Sequence, residues 1–231
     1  MTTLYIVATP IGNLEDITLR ALRILKEVDL VLCEDTRVTK KLLTRYDIHT
    51  PTLSYHARSG DTKVAKIIEL LEEGKNLALV SDAGTPTISD PGAFLVSAVR
   101  EHFRDTGEGH AVCIVAVPGP SALTAALSVA GVTGSDFLFL GFLPHKKGRE
   151  TLFTEIARSE RIVVFYESPH RILKTLMSLG EHAGERRIII VRELTKIYEE
   201  VLSGTAAELR ERLIADQQKQ RGEFVVIVAP I

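Results

Sequence analysis

Short runs of valine, isoleucine and leucine alternate along the whole chain with stretches whose apolar residues recur at helical spacing. Strands that alternate with helices predict an α/β fold built from mostly parallel sheets. Since the runs are continuously apolar, both faces of each sheet should be covered. The runs predicted as strands are residues 4–8, 29–33, 76–80, 112–117, 137–140, 162–166, 187–191 and 224–229.

Several of the predicted helices carry recognisable start and stop signals. Residues 16–28 and 61–73 each show an apolar stripe on one helical face. Asp61 can cap the second of these helices, and Gly74 can end it. The sequence "TAAE" at 205–208 is a capping-box pattern that opens a late helix.

The length of 231 residues fits either one large α/β domain or two smaller ones of about 110 residues each. The polar segment "RDTGEGH" at 104–110 is predicted to be a surface connection near the middle of the chain. We therefore expect two domains, 1–117 and 118–231.

Composition excludes several classes of protein. With 45% hydrophobic and 25% charged residues the chain is typical of a soluble globular protein. No apolar run approaches the ~18 residues that span a membrane, and the N-terminus does not resemble a signal peptide. Cys33 and Cys113 lie inside apolar runs and are expected to be buried free thiols. These features predict a reducing compartment, the cytoplasm.

Three loops share the pattern of a strand, a polar turn and a proline before a helix. Ligands of open α/β sheets bind outside the carboxyl ends of the strands, so these loops predict a ligand crevice. The loop "SDAGTPTISDPG" at 81–92 has neither the glycine spacing of a dinucleotide site nor the lysine of a phosphate loop. A ligand other than a diphosphate is therefore indicated. The prolines predicted to open the helices, each with the residue that caps it, are Pro91 with Asp90, Pro120 with Gly119, and Pro169 with Ser168.

The formal net charge of −2 argues against binding of nucleic acid through the overall charge of the protein. Two local basic patches are nevertheless present. Each patch is either a solvated surface or, if the partner is an RNA, a set of phosphate contacts. The first has basic residues at helical spacing, and the second is the segment "HKKGR". The RNA-binding candidates are Arg37, Lys41, Arg45, Lys146, Lys147 and Arg149.

Seven segments together resemble one known family. They include "TPIGNLEDITLRAL", "LVSDAGTPTISDPG", "VPGPSAL", "GFLPHKKGRE" and "VFYESPHRI", and they occupy residues 4–37, 78–92, 117–123, 141–150, 164–172, 192–196 and 222–228. In this order they resemble the ribosomal RNA small-subunit methyltransferase I family of the tetrapyrrole methylase-like superfamily, over essentially all of the chain. The resemblance implies two αβα domains with mostly parallel sheets, a cleft between them that binds S-adenosylmethionine, and a homodimer. It also implies 2′-O-methylation of a cytidine in the decoding region of 16S ribosomal RNA, and hence the small ribosomal subunit as partner.

The resemblance also implies which residues bind the cofactor. Gly84 would allow close backbone approach, and Asp82 would accept hydrogen bonds from ligand donors. Asp90 is expected instead to form a turn and cap a helix. The residues implied as cofactor contacts are Pro10, Gly12, Ser81, Asp82, Ala83, Gly84, Thr85, Ser121, Ala122, Tyr166 and Glu167.

Methyl transfer to a ribose hydroxyl depends on alignment and is helped by a base. Glu34 and Asp35 directly follow a predicted strand, which places them at the crevice and makes them the leading candidates. Arg37 then either binds an RNA phosphate or pairs with one of these acids. The other candidate bases are His56, Glu167 and His170.

Three alternatives use the same residues differently. A tetrapyrrole C-methyltransferase would share the cofactor cleft but need a broad apolar pocket, and a sensor would bind S-adenosylmethionine without turnover. A metal-assisted hydrolase would use carboxylates for magnesium. Its ligands would come from Glu34, Asp35, Asp82 and Asp90, but these lack a repeated metal-binding spacing.

Overall fold

A computed structural model describes residues 1–104 and 111–231 of the protein. The chain divides into two compact units, Met1–Ser121 and Ala122–Ile231. The connection predicted at 104–110 lies, apart from Arg104, outside the described residues. Each unit is an α/β structure around its own sheet, in agreement with the predicted fold class.

The first unit contains a five-stranded sheet with the order β3-β2-β4-β1-β5, and all four of its strand pairings are parallel. The strand β3 is short and was not predicted from its sequence. The strands are β1 (Thr2–Val7), β2 (Leu30–Cys33), β3 (Thr52–Ser54), β4 (Leu77–Leu79) and β5 (Val112–Val117). The helices are α1 (Leu19–Glu27), α2 (Thr36–Arg45), α3 (Gly60–Glu72) and α4 (Gly92–His102).

Both faces of this sheet are covered, as its apolar strands predict. On one face, Val31 and Ala78 pack with buried residues of α1 and α2. On the other face, Leu4 and Leu32 pack with buried residues of α3 and α4. Neighbouring residues of one strand therefore enter different cores, because side chains alternate across a sheet.

Several helix starts differ from the predictions by one to three residues. Helix α1 begins after Thr18, whose hydroxyl accepts a hydrogen bond from the Ala21 amide. Asp61 lies inside the first turn of α3 and is not its cap. Pro91 occupies the cap position of α4 rather than its first turn, and Gly92 is the first helical residue. Pro120 and Pro169 likewise precede their helices by two and three residues, since these helices begin at Ala122 and Ile172.

The second unit contains a sheet of order β6-β7-β10-β8-β9. Only β6 and β7 pair in parallel among its described strands, and the other three pairings are antiparallel. This sheet is therefore mixed, because the segment 193–199 between β8 and β9 is too short for a parallel crossover. The strands are β6 (Phe137–Phe142), β7 (Ile162–Glu167), β8 (Ile188–Arg192), β9 (Glu200–Gly204) and β10 (Phe224–Val228), and the helices are α5 (Ala122–Ala130), α6 (Arg149–Arg158), α7 (Ile172–Ala183) and α8 (Ala206–Ala215).

One apolar core holds the second unit together. It joins the sheet to buried residues of α6, α7 and α8, among them Phe153, Leu176 and Leu209. The predicted capping box at the start of α8 is confirmed, with the Thr205 side chain bound to the Glu208 amide and the Glu208 side chain bound to the Thr205 amide.

Two expectations from composition can be compared with the structure. Within residues 1–104 and 111–231, no helix is both long and apolar enough to cross a membrane. Both cysteines are free thiols; Cys33 is buried and Cys113 is partly buried.

Candidate functional site

The loops that follow β1 and β4 are joined to each other at the carboxyl edge of the first sheet. The Thr9 amide donates to the Gly84 carbonyl at 2.9 Å, and the Gly84 amide donates back to the Thr9 carbonyl at 3.0 Å. The Thr9 hydroxyl also donates to the Ser81 carbonyl at 3.2 Å. The two loops are therefore joined by backbone hydrogen bonds, although neither loop residue belongs to one of the strands.

A third loop, which follows β5, is fastened to the same place. The Thr85 hydroxyl donates to the Pro120 carbonyl at 3.1 Å. Gly84 has φ +82°, and an added Cβ would lie 3.3 Å from the Ile11 side chain. A glycine is needed here for its left-handed backbone and for this close approach. The loops after β1, β4 and β5 thus converge, and two of them, with Pro91 and Pro120, are among the three loops predicted to form a crevice.

An open cleft of about 720 Å³, which includes space open to solvent, lies beside these loops. One side consists of loop residues after β1 and β4, and the other consists of the first turns of α2. The described residues that line it are Thr9, Pro10, Ile11, Gly12, Leu14, Val38, Thr39, Lys41, Leu42, Ser81, Asp82 and Ala83. Five predicted cofactor residues and one predicted RNA-binding residue therefore share a single cleft.

Glu34 and Asp82 connect the ends of β2 and β4. The Asp35 amide donates to the Asp82 carboxylate at 3.0 Å, and the Asp82 amide hydrogen-bonds the Glu34 carboxylate. Burial raises the pKa of Glu34, and the negative charges of Asp82 and Asp90 raise it further. Glu34 is not among the described residues that line the cleft, but it is bonded to Asp82, which is. An acid whose pKa is raised is a better proton acceptor near neutral pH than an ordinary glutamate.

Asp35 is in a different electrostatic state. Its carboxylate accepts the Arg37 amide at 2.8 Å and caps α2. The same carboxylate binds the Arg37 guanidinium through two nitrogens, at 3.0 and 2.6 Å. The hydrogen bonds from the Arg37 side chain and backbone lower the pKa of Asp35 to about 2. Asp35 is therefore a weak base, and the structure places Arg37 in an ion pair with it.

The rest of the loop 81–92 is backbone-strained. Thr87 and Ser89 have φ of 75° and 67°, a region that costs about 1–3 kcal/mol for residues other than glycine. Asp90 stabilises this loop, because its carboxylate accepts the Thr87 amide at 2.8 Å and the Gly92 amide at 2.7 Å. Asp90 thus forms the turn, as expected, but Pro91 rather than Asp90 occupies the cap position of α4.

The remaining candidates of the first unit lie near the cleft or on its surface. Lys41 lines the cleft, and Arg45 is an exposed residue of the last turn of α2. Ser121 ends the first unit, and Ala122 begins both the second unit and α5. His56 is exposed on the loop after β3, where its Nδ1 accepts the Arg58 amide at 3.2 Å.

Tyr166 lies in an aromatic group of the second unit. It is half-buried, and the rings of Phe139 and Phe142 meet it edge-on at 5.0 and 5.4 Å. Burial raises the pKa of Tyr166, and a hydrogen bond from the Leu123 backbone opposes this shift. Lys146 and Lys147 are exposed on the loop after β6, and His170 is exposed after β7.

Glu167 and Arg149 belong to a set of buried ion pairs in the second unit. The Glu167 side chain is 0% exposed and that of Arg149 is 7% exposed, with 3.7 Å between their charged atoms. Glu167 also accepts hydrogen bonds from Arg171 at 2.7 Å and from the Thr175 hydroxyl at 2.6 Å. The buried ion pairs use the polar atoms that a cofactor or an RNA phosphate would need. The charged groups of Glu167 and Arg149 are thus engaged by partners within this unit.

The sequence prediction missed some residues of the cleft and some that surround Glu167. Leu14, Val38 and Leu42 line the cleft, and their positions follow from a loop and a helix that meet only in the folded unit. The Thr175 hydroxyl, on α7, links Arg149 to Glu167, because it accepts a hydrogen bond from the first and donates one to the second. Arg171 had a signal in the sequence, since it lies four residues after Glu167. No group of three or more His, Cys, Asp or Glu side chains in the described part of the chain is arranged to hold a metal ion.

Comparison with known proteins gives a consistent result over the whole chain. A sequence model of the family described as tetrapyrrole (corrin/porphyrin) methylases matches residues 3–210. A protein of Thermotoga maritima named ribosomal RNA small subunit methyltransferase I is 48% identical over 229 residues, which are 99% of each chain. The protein of the same name from Xylella fastidiosa is also 48% identical, over 98% of this chain and 81% of its own length.

Solved structures share the fold at much lower identity. A cobalt precorrin-4 methyltransferase matches with a TM-score of 0.70 and 18% identity, over 98% of this chain and 94% of its own. A uroporphyrin-III C-methyltransferase from Thermus thermophilus, complexed with S-adenyl homocysteine, matches with a TM-score of 0.66 and 18% identity, over 98% and 97%.

Proposed function

This chain belongs to the ribosomal RNA small subunit methyltransferase I family within the tetrapyrrole methylases, and from that premise we propose its reaction. It transfers a methyl group from S-adenosylmethionine to the 2′-hydroxyl of a cytidine in the decoding region of 16S ribosomal RNA. The observation that carries the proposal is the 48% identity with the Thermotoga maritima relative over 99% of both chains.

S-Adenosylmethionine is the cofactor, and when bound it supplies a methyl group on a positively charged sulfur. The cleft of the first unit has suitable groups for such a molecule. Asp82 and Gly12 are among the residues that line it, and carboxylate and carbonyl oxygens suit a cation with amino and hydroxyl donors. The left-handed Gly84 lets the adjoining backbone approach closely.

We assign the cofactor contacts on this basis. Pro10, Gly12, Ser81, Asp82 and Ala83 would hold the cofactor, because they line the cleft. The supporting contacts belong to residues whose loops are fastened to that lining, which are Gly84, Thr85, Ser121 and Ala122. For Tyr166 the assignment rests on the family resemblance alone.

Glu34 is the proposed acceptor of the proton from the ribose hydroxyl. Its pKa is raised by burial and by two neighbouring acids, whereas Asp35 has a pKa of about 2 and is paired with Arg37. Of the two leading candidates, Glu34 is thus the one whose basicity suits the task. The role of Asp35 is to cap α2 and to hold Arg37.

The RNA would be held by cations that remain exposed in the structure. Arg37, Lys41 and Arg45 follow one face of α2; the Arg37 side chain is 87% exposed although it pairs with Asp35, and Lys41 lines the cleft. Lys146 and Lys147 lie on the loop after β6 of the second unit. Each contact with a phosphate would add to affinity in a salt-dependent way.

Cellular location and assembly follow as further parts of this proposal. Two free thiols suit the reducing cytoplasm, where a ribosomal subunit would be the substrate. The edge strand β6 exposes Phe137, Leu138 and Phe142, which suits burial against a second copy in a homodimer. Sedimentation analysis of the purified protein would test for the dimer.

The deciding experiment is methyl transfer from labelled S-adenosylmethionine to small subunits purified from a strain that lacks this gene. We expect label in the ribose of one cytidine of the decoding region, located by nuclease mapping. Label in a base, label elsewhere in the RNA, or label only in a tetrapyrrole would contradict the proposal.

An Asp82→Ala variant tests the cofactor site in the same assay. We expect weaker cofactor binding by calorimetry and loss of the label. The matched control is Asp61→Ala, which removes an exposed acid from the first turn of α3 in the same unit. Equal cofactor affinity in the wild type and both variants would show that the cofactor lies elsewhere.

A further inference from the structure

The basic loop of the second unit, Pro144–Gly148, is presented in a defined conformation. His145, Lys146 and Lys147 are exposed along it. The loop ends at Gly148, whose φ of +80° directs the chain into α6. The Arg149 amide donates to the Lys146 carbonyl at 3.2 Å, which closes the turn beneath the lysines.

Two arginines bind the loop and the residue before it from inside the unit. Arg149 Nη1 donates to the Pro144 carbonyl at 3.1 Å, and Arg171 Nη2 donates to the Leu143 carbonyl at 2.9 Å. The side chains of Arg149 and Arg171 are only 7% and 16% exposed. A guanidinium has donors in a fixed planar arrangement, so it fixes the direction of each carbonyl that it binds.

Glu167 and Thr175 hold both arginines in place. Arg171 Nε and Nη2 donate to the two carboxylate oxygens of Glu167 at 2.7 and 3.1 Å. Arg149 Nη2 donates to the Thr175 hydroxyl at 2.6 Å, and that hydroxyl donates to Glu167 at 2.6 Å. The four side chains form one connected network, which we call the buried ion network, and it binds the backbone at Leu143 and Pro144, where the basic loop begins.

The charges within this network do not cancel. Two guanidinium groups face one fully buried carboxylate, so the network carries one excess positive charge. That charge lies beneath a loop with two exposed lysines, and the exposed Glu150 next in sequence to Arg149 opposes it only in part. Taking charges out of water is costly, and well-packed apolar residues often stabilise a core as well or better. Stability alone therefore gives little reason for this arrangement.

We propose that the basic loop is a preformed phosphate-binding surface for ribosomal RNA, and that Arg149, Arg171, Glu167 and Thr175 are positioning residues that hold it. Lys146 and Lys147 make the phosphate contacts, and the buried ion network fixes the backbone from which they extend. The proposal rests on the proposed function for the identity of the RNA. It gives Arg149 and Glu167, both buried, a role different from those predicted by the sequence.

The test is the salt dependence of binding to small subunits from the strain that lacks this gene. Each phosphate contact contributes about 0.9 to the slope of log affinity against log salt for a duplex and about 0.7 for a single strand. Lys146→Ala with Lys147→Ala should therefore reduce the slope by about 1.4 to 1.8. Arg149→Met should reduce it by a similar amount although it leaves both lysines in the chain.

Combining the changes separates positioning from direct contact. In the Arg149→Met protein, the two lysine substitutions should reduce the slope little further, because the loop is already displaced. Thr175→Val, which removes only the bridging hydroxyl, should show the same effect to a smaller degree and serves if Arg149→Met does not fold. Full additivity of the Arg149 and lysine effects would overturn the proposal.

Arg186→Met is the matched control. Arg186 is also partly buried in this unit and donates to backbone carbonyls, at 2.6 Å to Ile156 and 3.1 Å to Ala229, but neither is in the basic loop. It should lower the melting temperature without changing the salt slope. A wild-type slope in Arg149→Met and Thr175→Val, or an equal loss in Arg186→Met, would refute the positioning role.

The outcomes also distinguish this proposal from the proposed function. If the wild type transfers methyl groups but its salt slope does not depend on Lys146 and Lys147, the proposed reaction stands. The proposed role of the basic loop in phosphate binding would then be wrong. If the salt slope depends on the two lysines but no methyl transfer is seen, the phosphate-binding role of the basic loop stands and the proposed reaction is wrong. If binding of the wild-type protein to small subunits does not weaken as salt increases, the phosphate-binding role of the basic loop is wrong.

Discussion

Glu34 and Glu167 each lie at the carboxyl end of a strand, yet their surroundings are opposite. Glu34 directly follows β2, and Glu167 ends β7. Glu34 is half-buried beside Asp82, and no ion pair to it is found in residues 1–104 and 111–231. Glu167 is fully buried against two arginines, a hydroxyl and a backbone amide.

The difference teaches how to distinguish a reactive acid from a structural one. Glu34 has only acids as charged neighbours that shift its pKa, so its ionised form is poorly stabilised and it can accept a proton. Both oxygens of Glu167 accept short hydrogen bonds, so its charge is used to hold other groups. Substitutions at these two acids should therefore affect activity and stability in opposite ways.

Glu34→Gln should have the largest effect on the reaction. Loss of a general base lowers the rate by about 10²- to 10⁴-fold. Since the pKa of Glu34 is raised above 4.5, wild-type activity should increase as pH rises through that higher value. The variant should lose this dependence, which a pH profile of kcat would show. An unchanged profile would exclude Glu34 as the base.

The same variant should not weaken the fold. A raised pKa means that folding favours the protonated acid, so the stability from Glu34 is lost as pH rises through its pKa in the folded protein. At neutral pH the glutamine protein should therefore unfold at the same urea concentration as wild type or at a higher one. A clearly lower midpoint would show that Glu34 is structural, as Glu167 is.

Glu167→Ala should show the reverse result. Removing one partner of a buried ion network leaves uncompensated charge and costs about 3–5 kcal/mol of unfolding free energy. Urea unfolding measures this loss, and the matched change Glu160→Ala at an exposed site should cost little. Equal stability of the two variants would contradict the structural role of Glu167.

Gly84→Ala should affect the cleft by a smaller amount. The left-handed backbone costs about 1–2 kcal/mol once a Cβ is present, and that Cβ would press on Ile11 at 3.3 Å. Gly60→Ala is the control, with φ +65° and nothing within 4 Å of the added atom. Both should lose stability, but only Gly84→Ala should also lose cofactor affinity, as calorimetry would show.

Asp35→Asn should have the smallest effect, visible mainly at low pH. The pKa of Asp35 is about 2, below its ordinary value of 3.8, so its stabilising effect is present above 3.8 and disappears as pH falls toward 2. The wild type should lose more stability than the variant over that interval in acid unfolding. Parallel curves would show that the Arg37 pair does not stabilise the fold.

The fold was largely predictable from sequence, because buried strands and amphipathic helices have clear patterns. The two missed strands, β3 and β9, are at sheet edges and contain serine or glycine, and β3 has only three residues. The antiparallel pairing of β8 with β9 depends on the length of one connection rather than on apolar pattern.

The candidate site was only partly predictable. The loop 81–92 was located by its composition, since glycine and hydroxyl side chains at a strand end indicate a crevice. The roles of Glu167 and Arg149 were not, because burial depends on Thr175 and other residues brought together by tertiary packing. A basic residue in a basic segment can face inward, as Arg149 does.

The pairing of Thr9 with Gly84 has a consequence for the timing of ligand binding. Two reciprocal backbone hydrogen bonds make each loop a restraint on the other, so neither can open alone. Their amide protons should exchange slowly with solvent and at matched rates, even before any ligand is added. A small molecule arriving at this edge would meet a surface already in its final shape, and its association rate would be limited by encounter rather than by loop closure.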